Sequence, residues 1–262
     1  MSEHNLLDFN IDGAVATITL NRPEAANAFN LELATELNHA AAVCQHNRNI
    51  RAVILTGNGK LFSAGGDLSV MSEAGDQVDA ALKQLTDQLH SAFSTLMRMR
   101  APLIVAVNGA AAGIGLSLAL IGDITIASEK ASFTLAYTAA GLSPDGGSTY
   151  LLPRIIGIKR AREMMITNRR LTAAEALDWG MVNLVVAPGA LLDETLVLAK
   201  SIAQGATNAF GSVKSLLLSS FNESFESQMV LEVEAIVRNA MSKDGQEGIQ
   251  AFLNKRPPEF KG

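Results

Sequence analysis

Short apolar runs alternate along this chain with longer stretches of helical spacing, and that alternation limits the fold more than any other feature. "RAVILTG" (Arg51–Gly57) and "LIVAVNG" (Leu103–Gly109) are too short for helices and end in glycine, so both read as buried strands. "ITIAS", "ASFTLAY" and "MVNLVVAP" read as three more. Between them, Leu31 to about Gln45 and Val78–Met97 carry helical periodicity. The second stretch places Val78, Leu82, Leu85, Leu89, Phe93 and Leu96 on one stripe. Near the start, "LLDFNIDGAVATITLN" holds two strands around Asp12-Gly13, a dipeptide suited to a tight hairpin turn. From Leu191 onward only helical patterns remain. Strand, strand, helix, repeated and then all helix, implies an α/β core. A boundary is expected near Gly205, giving a core over 1–204 and a helical piece over 205–262. The polar stretch Ser72–Gln77 is expected to be mobile, and no internal repeat is visible.

The bulk properties narrow the class. A chain of 262 residues can bury about 75% of its unfolded surface, so its core needs no covalent staple. None is possible within it, because Cys44 is the only cysteine. A net charge of −5 argues against nucleic acid or an anionic membrane as the main partner; an anionic ligand would need a local basic patch. No apolar run reaches about 18 residues without a breaker. The longest candidate, "APLIVAVNGAAAGIGLSLALIGD", is cut by four glycines and Asn108. "MSEHNLLDFN" lacks a basic segment and a long apolar run, so no signal peptide is expected and the location expected is cytoplasmic.

Several familiar chemistries fail on spacing. "GAAAGIG" follows a strand and opens a helix, but Leu118 stands where a dinucleotide fingerprint needs its third glycine. "GNGK" lacks the spacing and the hydroxyl residue of a phosphate loop, and "GLSLA" has Ala119 where a nucleophile elbow needs glycine. His4, His39, His46 and His90 form no i,i+4 pair, so no metal site is expected. Two glycine turns remain, "SAGGD" and "AAGIG". Each would present unpaired N–H groups at the start of a helix, and two such groups converging on one point make an oxyanion hole. Each could equally be a turn that needs glycine for a positive φ. "GLSPDGGSTYLLPR" (Gly141–Arg154) contains one acid, Asp145. It could cap the following helix or serve as a carboxylate base in an apolar site, and the residues alone leave both open. His90, at the edge of the Val78–Met97 stripe, reads as a half-buried histidine.

"NRPEAANAFN", "FSAGGDL", "VNGAAAGIG", "GLSPDGGSTYLLPRIIG", "LTAAEALDWGMVNLVV" and "GIQAFLNKRPPEF" follow one another across almost the whole chain. In this order they closely resemble the crotonase (enoyl-CoA hydratase/isomerase) superfamily. The resemblance implies a spiral of repeated ββα units with a helical C-terminal region used in oligomerisation, trimers or dimers of trimers, and acyl-CoA thioesters as ligands. Coenzyme A then enters as part of the substrate and no separate cofactor is implied. Carried over by position, the oxyanion hole falls on the N–H groups of Gly66 and Ile114. Ala64, Gly65, Gly66, Asp67 and Leu68, with Ala25 and Ala26, would line the coenzyme A. Arg22, Lys60 and Lys255 are candidates to offset its phosphates.

The departures from the pattern are informative. The two glutamates with which hydratases of this family activate water match Ser117 and Tyr137, neither of which is a carboxylate; both would instead shape the acyl pocket. Asp145 matches the single acid of the Δ3,Δ2-enoyl-CoA isomerases and resembles that of the ring-opening isomerases of phenylacetate degradation. In 4-chlorobenzoyl-CoA dehalogenases an aspartate at the place of Asp145 is the nucleophile, helped by a histidine matching His90. The tryptophans around the ring in those enzymes are missing here: Leu89 and Tyr137 stand at two of their places, and the only tryptophan is Trp179. The resemblance therefore implies an isomerase with Asp145 as base, with non-standard hydration, dehalogenase-like hydrolysis or acyl-CoA binding without turnover as alternatives.

Overall fold

A computed structural model describes residues 6–262; the opening Met1–Asn5, with His4 and the start of the segment read for a signal peptide, lies outside them. β1 (Leu7–Asp12) and β2 (Val15–Leu20) form the expected hairpin. Asp12 itself pairs with Val15, so the two-residue loop is Gly13-Ala14, one position later than the Asp12-Gly13 expected. Gly13 takes the positive φ of 58° that such a loop demands. β2 then pairs in parallel with β3 (Ala52–Gly57), which pairs with β4 (Leu103–Val107), then β6 (Ile124–Ser128) and β9 (Leu184–Val186). A second, smaller sheet holds β5 (Ala110–Ala112), β7 (Ser132–Thr134) and β8 (Leu171–Thr172).

The strands read as continuous apolar runs because the large sheet is covered on both faces. Val53, Leu55, Leu103, Val105 and Val107 join the main core, where α1 (Leu31–His46) packs beside α3 (Val78–Arg98). Ala52, Ile54, Ile104 and Ala106 face the other way onto α8 (Leu191–Ala203), whose Leu191, Ala199 and Ala203 close that side. α1 starts where it does because the Asn30 side chain accepts from Leu33 N–H at 2.9 Å. Its Leu33, Leu37, Ala41 and Cys44 turn inward. Burial pushes the Cys44 thiol up to about 12, which leaves it a packing group rather than a reactive one.

The two sheets wind together. β4 runs through a short loop into β5, and β6 into β7, so the chain alternates between the large and the small sheet. After β3 the corresponding segment forms only a one-residue bridge, Ser63 to Ala111. Helices follow each passage: α2 (Leu68–Glu73) and α3, α4 (Ile114–Leu120), α5 (Ser148–Ile156) and α6 (Ile158–Thr167). α7 (Ala173–Asp178) opens on a capping box in which Thr172 and Glu175 satisfy each other's N–H groups. "ASFTLAY" is strand only over its first half, because Ala136 adopts φ 53° and breaks the extension. Ser72–Gln77, the polar stretch expected to be mobile, completes α2 and makes a 3-10 turn over Gly75–Gln77. α9 (Thr207–Ser219), α10 (Phe225–Met241) and α11 (Lys243–Leu253) complete the chain beyond Gly205. Among the described residues no helix is long and apolar enough to cross a membrane.

Candidate active site

The spiral lays the two glycine turns against each other. Ser63 N–H donates to Ala110 carbonyl at 3.1 Å, and Ala112 N–H donates to Ser63 carbonyl at 2.9 Å. That pairing joins the turn after β3 to the turn after β5. Gly65 sits at φ 108°, and a Cβ there would lie 3.1 Å from the Ala112 carbonyl oxygen, so the close approach needs glycine. Phe29 N–H donates to Gly65 carbonyl at 2.8 Å and Asp67 N–H to Phe29 carbonyl at 2.9 Å. By the alternation of extended backbone, the Gly66 N–H between them points to the opposite side. Gly113, at φ 53°, leads into α4, whose first N–H, that of Ile114, has no partner within the helix. Neither the Gly66 nor the Ile114 N–H donates to an acceptor among the described residues.

Side chains build the facing wall. Asp145 does not cap α5: the N-cap is Gly147, and it makes no side-chain capping bond. The Asp145 carboxylate Oδ1 lies 2.9 Å from His90 Nε2 instead. The main chain of Asp145 is pinned from below. Its carbonyl accepts from Ser117 Oγ at 2.8 Å, from Ser148 Oγ at 2.9 Å and from Ser148 N–H at 3.3 Å. Gly146, at φ 64°, presses on α4 so closely that a Cβ would meet Ile114 Cδ1 at 2.3 Å and Phe93 Cε2 at 3.1 Å. The loop carrying the carboxylate and the helix start carrying the N–H are therefore in direct contact.

Both walls open on one cavity of about 510 Å³, bounded by Gly66, Ile114, Tyr137, Asp145, His90 and the apolar side chains of α3. Ala64, Gly65 and Leu68 also line it. His90 is half exposed, with 51% of its side chain accessible, and it faces the site rather than lying half-buried at the edge of the core stripe. His90 and Asp145 form a shared partition, because a second cleft of about 660 Å³ begins on their other side, against Phe93, Tyr150 and Leu218. The Tyr137 hydroxyl is enclosed beside the Ser117 side chain and the Asp145 main chain, without a hydrogen bond of good geometry to either. Burial pushes its pKa up, outweighing the opposing pull of Ser117, and the negative charge of Asp145 adds to the rise, so it stays protonated and cannot act as a base at ordinary pH.

Other residues take different places from those expected. Ser117 is fully buried and does not line the cavity; it holds the Asp145 carbonyl. Asp67 accepts from Arg22 Nη1 at 2.6 Å and caps α2 through Ser69 N–H, so it too is absent from the lining. The Ser69 bonds, then the Arg22 guanidinium, outweigh desolvation and hold its carboxyl below the usual range. The same pair commits Arg22, which also donates to Ala28 carbonyl at 3.0 Å, and removes it as a ready phosphate ligand. Ala25 and Ala26 lie beside the cavity rather than in it, with the Ala26 carbonyl accepting from Ala64 N–H at 2.9 Å. Trp179 is elsewhere, under the guanidinium groups of Arg160 and Arg169 at 4.7 and 4.8 Å. The reading of the sequence missed a polar face of α3: Asp79, Lys83, Thr86 and His90, spaced four, three and four apart, all line the cavity.

A profile of the enoyl-CoA hydratase/isomerase family matches residues 10–262. The chain belongs to that family. Among its relatives, the trans-2-decenoyl-[acyl-carrier-protein] isomerase of Streptococcus mutans is 34% identical over 255 residues, covering 97% of each chain. The 1,2-epoxyphenylacetyl-CoA isomerase of Escherichia coli is 36% identical over 253 residues, 96% of this chain and 97% of the relative. The crystal structure of an enoyl-CoA hydratase from Polaromonas sp. JS666 superposes with a TM-score of 0.93 at 34% identity, covering 97% of this chain and 99% of the other. Family membership and the α/β spiral are thus shared with proteins named for isomerisation and for hydration.

Proposed function

We propose that the chain shifts a double bond in an acyl-CoA thioester, converting a 3-enoyl-CoA to a 2-enoyl-CoA. The observation that carries this reading is that the Asp145 carboxylate opens on the same cavity as the unpaired N–H groups of Gly66 and Ile114. The thioester oxygen accepts from both N–H groups. Asp145 takes a proton from C2, the electrons of that bond move into an enolate, and the negative charge collects on the held oxygen. Each such donor contributes about 2.7–4 kcal/mol to the transition state. The proton returns from Asp145 to C4, and the double bond ends in conjugation with the thioester. His90, with its proton on Nε2, donates to Asp145 and keeps the carboxylate aimed at the acyl carbons. Hydration by the two-acid route lacks its second group. The other acid of the cavity wall, Asp79, stands eleven positions before His90 on α3, about 16 Å along the axis.

The test is turnover of 3-hexenoyl-CoA together with exchange of the C2 proton in heavy water. Asp145→Asn keeps shape and removes basicity, so both rates should fall at least about 100-fold while the melting temperature stays put. Normal isomerisation by that variant overturns the reading. Binding of CoA esters with no turnover across 2-enoyl, 3-enoyl and aryl thioesters would make the chain a binding module.

One observation favours a second reading. The His90–Asp145 contact also suits a nucleophilic carboxylate with a histidine that activates water, as in dehalogenation of an aryl thioester. Oxygen-18 from labelled water would then pass through Asp145 into the product; isomerisation incorporates none. For assembly we propose a trimer or a dimer of trimers through the helices beyond Gly205. Val230, Val233, Ile236 and Val237 on α10, and Phe252 on α11, are exposed in the single chain, which supports such a use. A monomer by light scattering would sink it.

A further inference from the structure

Four arginines from three parts of the chain line one cleft of about 310 Å³. Arg48 follows α1, Arg98 and Arg100 come from the end of α3, and Arg238 from α10; α9 supplies Ser212 to the floor. No carboxylate faces the cleft. In a chain of net charge −5, none of the four guanidinium groups is within ion-pair distance of an acid among the described residues. Arg100 Nη2 donates to the carbonyls of Arg48 and Ile50, which fixes the turn between α1 and β3. Its Nη1 is enclosed without any partner. Burial, then the charges of Arg48 and Arg51, pull the Arg100 pKa below the usual value, against a smaller pull from Asp244. Asp244 is already engaged: its two oxygens accept from Lys261 and Gly262 N–H at 2.7 and 2.9 Å.

We infer that this cleft binds a phosphorylated small molecule carrying at least two negative charges, at a site separate from the acyl-CoA cavity. Charges of one sign gathered in one cleft repel unless an anion joins them. Guanidinium forks match the oxygens of a phosphoryl group, and a multiply charged phosphate can engage several at once, where a single carboxylate fills one. Arg98 could be explained as a cation at the end of α3. The same account covers Arg238 in the last turn of α10, but it does not explain why Arg48 and Arg100, both beyond the helix ends, converge on the same cleft. Arg98 lies eight positions beyond His90, about 12 Å along α3, and with Ser215 it also borders the second cleft that begins at His90 and Asp145, so the two sites are separate but neighbouring.

The test is calorimetric titration of the full-length protein with pyrophosphate in 150 mM sodium chloride, with inorganic phosphate and adipate run in parallel. Arg48→Gln and Arg238→Gln are the informative variants, since neither guanidinium group makes a hydrogen bond within the described chain and neither touches the acyl-CoA cavity. Saturable pyrophosphate binding, weakened about tenfold or more in each variant with CoA affinity unchanged, is the expected result. Absence of saturable binding, equal affinity in the variants, loss of binding when CoA saturates the protein, or adipate binding as well as pyrophosphate would each overturn it. Unchanged melting temperatures in both variants separate a lost ligand contact from a damaged fold.

Discussion

The two walls of the candidate active-site cavity are held in opposite ways. One is main chain: the Gly66 and Ile114 N–H groups are aimed by backbone pairing of Ser63 with Ala110 and Ala112, and by Phe29 bracketing Gly66. The other is side chain: His90 from α3 and Asp145 from the loop before α5 meet through a single contact, both partly open to solvent. The first wall should tolerate changes of side chain and fail when the backbone changes. The second should tolerate small backbone adjustment and fail when a functional group is exchanged. A site divided this way can change its chemistry through the second wall while keeping the first, which fits a family whose members are named for both hydration and isomerisation.

The harshest way to break the comparison is Gly113→Ala. The space is adequate, since a Cβ there meets nothing nearer than 3.6 Å. The conformation is not: φ 53° with ψ −127° suits glycine alone. The strain should lower stability by about 1–3 kcal/mol and turn the Ile114 N–H away. Loss of one donor predicts a fall in kcat of about 100- to 1,000-fold. Ile114→Val, which changes only the side chain, should leave kcat close to normal. Steady-state kinetics on the pair decides the matter, and a fully active Gly113→Ala enzyme refutes a backbone-held wall.

On the other wall, His90→Gln keeps an N–H that can reach toward Asp145 but loses the ring's fixed geometry. Misplacement of the carboxylate predicts a fall in kcat of about 10- to 100-fold with KM nearly unchanged. A rise in KM alone would move His90 from positioning Asp145 to binding substrate.

This division also explains what could be read from residues alone. The glycine turns were legible because their demand is local: a positive φ and a close approach need glycine wherever they occur, and "SAGGD" and "AAGIG" advertise both. The strands were legible as apolar runs, except β5 and β8, which are too short to carry a period. The His90–Asp145 contact spans 55 positions, and nothing local in either segment announces it. The family resemblance places Asp67 and Ser117 against the ligand. Their actual partners are Arg22, far along the chain, and a carbonyl across the α4–α5 contact. Side-chain direction at such positions is decided by packing, which a one-dimensional pattern does not contain.

A milder test concerns the floor under the second wall. Ser117→Ala removes one of three donors to the Asp145 carbonyl, and the two from Ser148 remain, so no acceptor is stranded. Stability should drop by about 0.5–1.5 kcal/mol, the net worth of one hydrogen bond, with only a slight loss of rate. Chemical denaturation read beside kcat checks it. A large loss of rate at that modest loss of stability would put Ser117 back among the groups that sense substrate.

The smallest effect should come from Tyr137→Phe, and it probes where the two walls meet. The hydroxyl is enclosed beside Ser117 and Asp145 with no hydrogen bond of good geometry, and burial keeps it protonated. An unmade buried hydroxyl is a cost to the folded chain, so its removal should leave the melting temperature unchanged or raise it, by up to about 1 kcal/mol of stability. If the group only fills space, kcat and KM stay as they were and both walls act without it. If the variant is more stable yet isomerises more slowly, the hydroxyl has been held unpaired for the ligand. It would then donate to the acyl group from within the cavity, a fixed donor that belongs to a side chain rather than to the main chain.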